Sequence, residues 1–299
     1  MIRTLGNALE VCPVVLDGGL ATQLEAQGHK LNSALWSARL LRDDPDAIVQ
    51  AHLAYFAAGA QVATTASYQA SIDGFVRAGS SPAEAQQLIK RSVRLAEQAR
   101  ASFQDDHDRW IAGSVGPYGA ALADGSEYRG DYGLSVTELR RWHRPRIELL
   151  AEAGADVIAL ETIPCLAEVE ALVAEVDGSG QPCWLSITCA GDQTRAGEPA
   201  EEVFALARKV TEIIAVGINC IDPADAYGLV QTASRTTGKP VVIYPNSGER
   251  WDALQKFWIG PTTFRAEDVK DWIISGARLV GGCCRVGPTQ INKIRDLLA

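Results

Sequence analysis

Eight short apolar runs recur along the chain, separated by segments with helical patterning. This alternation constrains the fold more than any other feature. The runs are VVLDGG from Val14, VATTASY from Val62, IAGSVGP from Ile111, VIALETI from Val157, CWLSITC from Cys183, AVGINC from Ala215, VVIYPNS from Val241 and LVGGCC from Leu279. They are continuously apolar more than strictly alternating, the pattern of parallel strands covered on both faces. Among the intervening segments, SPAEAQQLIKRSVRLAEQARASF opens with Ser81 as an N-cap and Pro82 in the first turn. SVTELRRWHRPRIELLAEAG sets Ser135 three residues ahead of Glu138 as a capping box, and Pro145 inside it predicts a kink or a split. EPAEEVFALARKV and DPADAYGLVQTAS read the same way. The phrases AGAQV, AGADV and SGARL each join a helix to a strand, with the glycine as the left-handed residue past the helix end.

Eight such alternations in 299 residues predict a (β/α)8 TIM barrel, one domain spanning 1–299. A doubly wound α/β sheet is the alternative, but VVLDGGLATQLE lacks the G-x-G-x-x-G phosphate loop and no linker divides the chain. The 47% hydrophobic content is ample for a large core. A net charge of −9 argues against nucleic-acid binding, which needs a basic face. No apolar run reaches the length of a membrane span, and MIRTLGNALEVCPVV carries no secretory pattern. The expected setting is the cytoplasm, with small-molecule partners and neither nucleic acid nor membrane. Seven irregularly spaced cysteines in a reducing compartment favour metal binding or catalysis over disulfides.

Barrels place their chemistry at the C-terminal ends of the strands, where residues distant in sequence converge. Asp17 ends the first run, Glu161 the fourth, Cys220 the sixth, and Cys283 and Cys284 the eighth. Two insertions, residues 20–44 and 118–134, rise from the same rim. Adjacent thiols in LVGGCCR admit three readings: buried fillers, a strained disulfide or metal ligands. Three thiols with no histidine nearby suit zinc, with a fourth position left open. His29, His52, His107 and His143 fall outside the strand ends, and no lysine ends a strand, which argues against Schiff-base aldolase chemistry. No G-x-S-x-G elbow is present. Cys12, Cys165, Cys183 and Cys189 read as packing residues. Asp17 before Gly18-Gly19 reads as either a turn cap or a substrate contact, and Glu161 as either an arginine's partner or a substrate contact.

LDGGLATQLE, LNSALWSARLL, GSVGPYGAAL, LETIP, GINC, YPNSGE and GGCCRVGP together resemble the homocysteine S-methyltransferases, nearest to the short forms that use S-methylmethionine. The resemblance runs from about Val14 to Pro288. It implies a TIM barrel with one zinc ion on Cys220, Cys283 and Cys284. Asp17 and Glu161 would hold the amino group of homocysteine, and the amides of Gly18 and Gly19 its carboxylate. Asn246, in PNSG, would lie near the metal and fill its fourth position when substrate is absent. The implied reaction moves a methyl group from S-methylmethionine, secondarily S-adenosylmethionine, to the zinc-bound thiolate of homocysteine, forming methionine. Betaine-using relatives carry a longer C-terminal extension that supports oligomers; its absence here sets the expectation of a monomer and of betaine inactivity. Selenocysteine is an alternative acceptor, and a non-catalytic zinc or redox-sensing protein an alternative use of the thiols. Trp36, Tyr68, Tyr118 and Tyr244 are aromatic candidates for a sulfonium pocket, or packing residues.

Overall fold

The structure, a computed structural model, describes residues 3–31, 35–252 and 257–299. Residues 32–34 of the first insertion, within LNSALWSARLL, and the side chain of Trp36 lie outside the described residues.

All eight apolar runs form strands of one parallel sheet: β1 (Val14–Val15), β2 (Val62–Thr64), β3 (Trp110–Val115), β4 (Val157–Ile163), β5 (Cys183–Ile187), β6 (Ile213–Asn219), β7 (Val241–Tyr244) and β8 (Ala277–Val280). The order is β1-β8-β7-β6-β5-β4-β3-β2. The ring closes between β1 and β2: the Gln61 amide donates to the Val15 carbonyl at 2.7 Å and the Asp17 amide to the Val62 carbonyl at 3.1 Å. One principal helix of the outer layer follows each strand: α1 (Pro45–Ala57), α2 (Pro82–Ala101), α3 (Val136–Glu152), α4 (Leu166–Val176), α5 (Ala200–Ala207), α6 (Ala226–Thr237), α7 (Val269–Ile274) and α8 (Pro288–Leu298), with shorter helices in the loops. The fold is a TIM barrel.

Local signals act where the sequence put them. Ser81 and Ser135 both cap with reciprocal Glu84 and Glu138 boxes. Gly59, Gly154 and Gly276 all hold left-handed φ of +93° to +116° at the three repeated helix-to-strand turns. Pro145 does not split α3, which continues through it. The carbonyl it leaves without an amide partner belongs to exposed Arg141, while Leu139, His143, Arg146 and Leu150 bury the opposite face.

The barrel interior is built from every second residue. Val14, Leu16, Val62, Trp110, Ala112, Val157, Ala159, Trp184, Ala215, Val242, Tyr244 and Leu279 form one buried cluster inside the ring, separate from the larger core under the helices. A short N-terminal helix, Leu5–Leu9, plugs the bottom with Leu5, Ala8 and Leu9. Following the same parity upward, the layer at the mouth turns polar: Thr64, Ser114, Glu161, Ser186 and Asn219 stand at or just before the strand ends. A closed floor below and a polar layer above leave one end of the barrel for chemistry.

Two further excursions leave this mouth in addition to residues 20–44 and 118–134. An antiparallel hairpin, Cys189–Ala190 with Gln193–Thr194, follows β5. A second, Arg250–Asp252 with Phe257–Ile259, follows β7. Neither is foreseen from the sequence, because two- and three-residue strands carry no periodicity.

Gly217 fixes the approach of β6 to β7. A Cβ there would meet the Val242 carbonyl oxygen at 1.8 Å, with backbone on both sides unable to yield. Gly217→Ala is expected to cost about 3 kcal/mol or more of unfolding free energy, at or beyond the upper end for overpacking. Urea denaturation checks this; a loss within about 0.5 kcal/mol would contradict the close pairing of β6 with β7 at this position.

Candidate metal and substrate site

β6 and β8 deliver the three thiols. The sulfurs of Cys220, Cys283 and Cys284 all lie within 4.8 Å of one another, a group able to hold a metal ion. Cys220 and Cys283 are in sulfur–sulfur contact, with Cα atoms 5.7 Å apart. Backbone bonds fix the three stems. The Cys220 amide donates to the Tyr244 carbonyl at 3.3 Å and the Cys283 amide to the Pro245 carbonyl at 2.8 Å. Cys220 takes a left-handed φ of 52°, a conformation unusual for a side chain with a Cβ, and the Thr188 hydroxyl holds its carbonyl at 3.2 Å. Asn246 meets the cluster through its oxygen, which accepts from the Cys284 amide at 3.1 Å. It sits beside the cluster as expected from the sequence, and in this structure it orients a ligand loop.

Gly281 and Gly282 belong to the same geometry. Side chains there would collide with the Asp17 carbonyl and with Val286. Gly18 and Gly19 are similarly tight against the Val286 and Cys283 carbonyls. The Gly19 amide already donates to Val286 at 3.0 Å, which corrects its assignment as a carboxylate donor; Gly18 keeps that candidacy.

Asp17 is buried at the β1 end, held by the Thr64 amide at 2.7 Å and the Thr64 hydroxyl at 2.9 Å. Burial pushes its carboxyl up to about 8, against those two bonds. Glu161 lies within β4, next to a bulge at Thr162 rather than at the strand's last residue. Ser114 donates to one of its oxygens and Tyr244 to the other, at 3.0 Å. Burial raises its carboxyl too, opposed by these bonds and by the charge of Arg146. Asn219 clamps the bulge: its oxygen accepts from the Thr162 amide at 2.8 Å and its amide donates to the Thr162 hydroxyl at 2.7 Å. Burial and the charges of Glu25, Glu127 and Glu161 push the Cys284 thiol up to about 12. Buried carboxyls and a thiol that resist ionisation fit a site completed by cations. Thiolates are soft ligands, so the donor set suits zinc.

One buried network is not foreseen from the sequence, which places His143 away from the site. His143 Nε2 donates to Glu168 at 2.8 Å, and its Nδ1 accepts from Arg146 at 3.2 Å. Burial holds His143 below its usual range, in keeping with that neutral tautomer. Glu168 also accepts from the Tyr118 amide at 2.6 Å, while Arg146 donates to the carbonyls of Tyr68, Ala70 and Gly116. The loops after β2 and β3 are thereby pinned to α3 and α4. The i,i+3 spacing of His143 and Arg146 along the inward face of α3 was the available signal.

Of the aromatic candidates, Tyr118 packs edge-on against Tyr132 and Trp142, and Tyr244 accepts from the Trp184 indole at 3.1 Å inside the barrel. Tyr68 is half-buried near Thr162, within reach of the charge of Glu161. Cys165, Cys183 and Cys189 are buried, as packing residues should be; Cys12 is exposed, which corrects its assignment. Among the described residues no helix is long and apolar enough to cross a membrane.

A family model described as homocysteine S-methyltransferase matches residues 14–298. Homocysteine S-methyltransferase YbgG of Bacillus subtilis is 44% identical over 305 aligned residues, covering 98% of this chain and 97% of that protein. Selenocysteine Se-methyltransferase of Brassica oleracea is 42% identical, covering 95% and 88%. The metallated form of the homocysteine methyltransferase MmuM from Escherichia coli superposes with a TM-score of 0.86 at 42% identity, covering 95% of this chain and 96% of that one.

The raised carboxyl of Asp17 has a consequence for stability. Between about pH 4 and pH 8 the native state keeps a proton that the unfolded chain releases, so stability falls as pH rises through that window. Asp17→Asn removes the effect. In metal-free, reduced protein, the variant is expected to gain stability relative to wild type between pH 5 and pH 8.5, on the order of a few kcal/mol. Urea titrations at the two pH values measure it; a difference independent of pH would contradict the buried, protonated carboxyl.

Proposed function

The chain belongs to the homocysteine S-methyltransferase family, and from that premise we propose that it methylates homocysteine with S-methylmethionine, holding one zinc ion on Cys220, Cys283 and Cys284. The observation that carries this reading is the meeting of three thiols and two buried carboxyls at one barrel mouth. A bare metal store has no use for Asp17 and Glu161 on the same rim. S-adenosylmethionine is the secondary donor, and the cytoplasm is the setting that keeps the thiols reduced.

A bound zinc ion would supply deprotonation of the substrate thiol and keep it nucleophilic near neutral pH. The rest falls to the chain's own residues. Asp17 and Glu161 take the homocysteine ammonium, whose charge draws both carboxyls to their ionised form. Thr64, Ser114 and Tyr244 hold the two acids in place, so that little reorganisation remains when substrate arrives. Asn246 steadies the Cys283–Cys284 segment. The methyl group then moves in line: a new sulfur–carbon bond forms on homocysteine as the donor's sulfonium–methyl bond breaks, and both sulfurs end as neutral thioethers. A sulfonium methyl is already activated, so no carrier for the group is needed.

Three outcomes are expected. Wild-type protein should carry about one zinc per chain, and Cys220→Ala, Cys283→Ala and Cys284→Ala should each lose most of it by elemental analysis; full retention in any two would overturn the ligand set. Asp17→Asn and Glu161→Gln should keep zinc and lose roughly 10- to 100-fold in catalytic efficiency for homocysteine, the worth of one charge-assisted hydrogen bond. Unchanged efficiency in both would remove their role. With donors at equal concentration, methionine should form fastest from S-methylmethionine, slower from S-adenosylmethionine, and not from betaine or methyltetrahydrofolate. Faster reaction with betaine would overturn the donor assignment, and selenocysteine in place of homocysteine tests the second acceptor.

A further inference from the structure

The hairpin after β5 brings a cation to the mouth that the reaction outlined above does not use. Arg195 follows its second strand and is half-buried. Its Nε donates to the Thr188 hydroxyl at 3.4 Å, and Thr188 in turn donates to the carbonyl of Cys220. Its guanidinium carbon lies 5.6 Å from the centre of the Tyr128 ring, on the 118–134 insertion. Tyr128 is 40% exposed, and its phenol lies within electrostatic reach of Cys284, Glu127 and Arg195. Arg195 and Tyr128 therefore flank the sulfur cluster.

Other arginines near the mouth are paired. Arg285 meets Glu249 at 3.2 Å and Arg129 meets Asp131 at 3.2 Å. Arg146 is buried and directs its terminal nitrogens to backbone carbonyls and to His143. Arg195 has no carboxylate within 4.0 Å among the described residues. The support beneath it is firm: the Ala196 amide donates to the Pro164 carbonyl at 3.1 Å, and the Gly191 amide to Asp225 at 3.1 Å. In the ring order β5 stands opposite β1, so Arg195 lies across the mouth from Asp17.

We propose that Arg195 is the positioning residue for the carboxylate of the methyl donor, with Tyr128 as the ring against which the donor lies. The proposal rests on the donor reading above. A half-buried guanidinium without an anion fits a carboxylate in a planar, two-point manner. It also sets the donor's direction. The donor's sulfonium is repelled by Arg195 and attracted by the thiolates, so the carboxylate turns to the hairpin and the sulfonium to the sulfurs. Homocysteine is held from the opposite side, through Asp17 and Glu161. The site is thereby selective for sulfonium compounds that carry a carboxylate.

The test uses zinc-loaded enzyme with Arg195→Gln and Arg195→Lys, and two donors, S-methylmethionine and trimethylsulfonium, which has no carboxylate. Arg195→Gln should raise the KM for S-methylmethionine roughly 10- to 100-fold, leave zinc content and the homocysteine KM within about two-fold, and leave trimethylsulfonium turnover equal or higher. Arg195→Lys should recover part of the loss. A merely structural role would lower turnover with both donors alike, which would overturn the proposal. So would a rise in the homocysteine KM in place of the donor KM, or no change in either. If wild type makes no methionine from S-methylmethionine, the donor reading itself fails; the same comparison run with S-adenosylmethionine, which also carries a carboxylate, then decides the role of Arg195 separately.

Discussion

The mouth of this barrel is organised by the cost of burying groups that want to be anions. Asp17, Glu161 and Cys284 are all held above their ordinary ionisation range by desolvation. Without a cationic partner, Asp17 and Cys284 stay protonated near neutral pH. A metal ion among the thiols and an ammonium group between the carboxyls would offset that desolvation by pairing each anion with a cation. Hydrogen bonds from Thr64, Ser114 and Tyr244 pre-aim the acids without fully offsetting the burial. The site is thus poised to gain most from ligands that bring positive charge.

The rest of the fold serves this poise. Trp110, Trp184 and the Leu5–Leu9 helix fill the barrel below, so water cannot reach the carboxyls from beneath. Close contacts at Gly18, Gly217, Gly281 and Gly282 let strands β1, β6 and β8 approach until three thiols meet. The His143–Glu168–Arg146 network ties the loops after β2 and β3 to the outer helices.

What the sequence could disclose follows from range. Apolar strands, serine caps and the three A-G-A or S-G-A turns are set by neighbours a few residues away, and all eight strands and both capping boxes were legible. The thiols and acids were legible too, because a barrel brings strand ends together whatever their separation in sequence. The occupied amide of Gly19 was not, since its partner Val286 lies at the far end of the chain. Nor was the survival of α3 past Pro145, which packing on its inward face decides. Arg195 escaped notice because a two-residue strand carries no period and a lone arginine no motif; only the third dimension sets it beside Thr188 and Cys220.

The central claim, that Asp17 and Cys284 are held protonated by their surroundings until cations arrive, is open to a direct count. Zinc can be titrated into reduced, metal-free protein at pH 7 by calorimetry in buffers of different ionisation enthalpy, which yields the protons released per ion bound. Thiols that are protonated beforehand and ionised by the metal should release about three protons per zinc, or more if Asp17 follows. Release of two or fewer would mean that the thiols were already ionised or that one of them is not a ligand, and the account would be wrong.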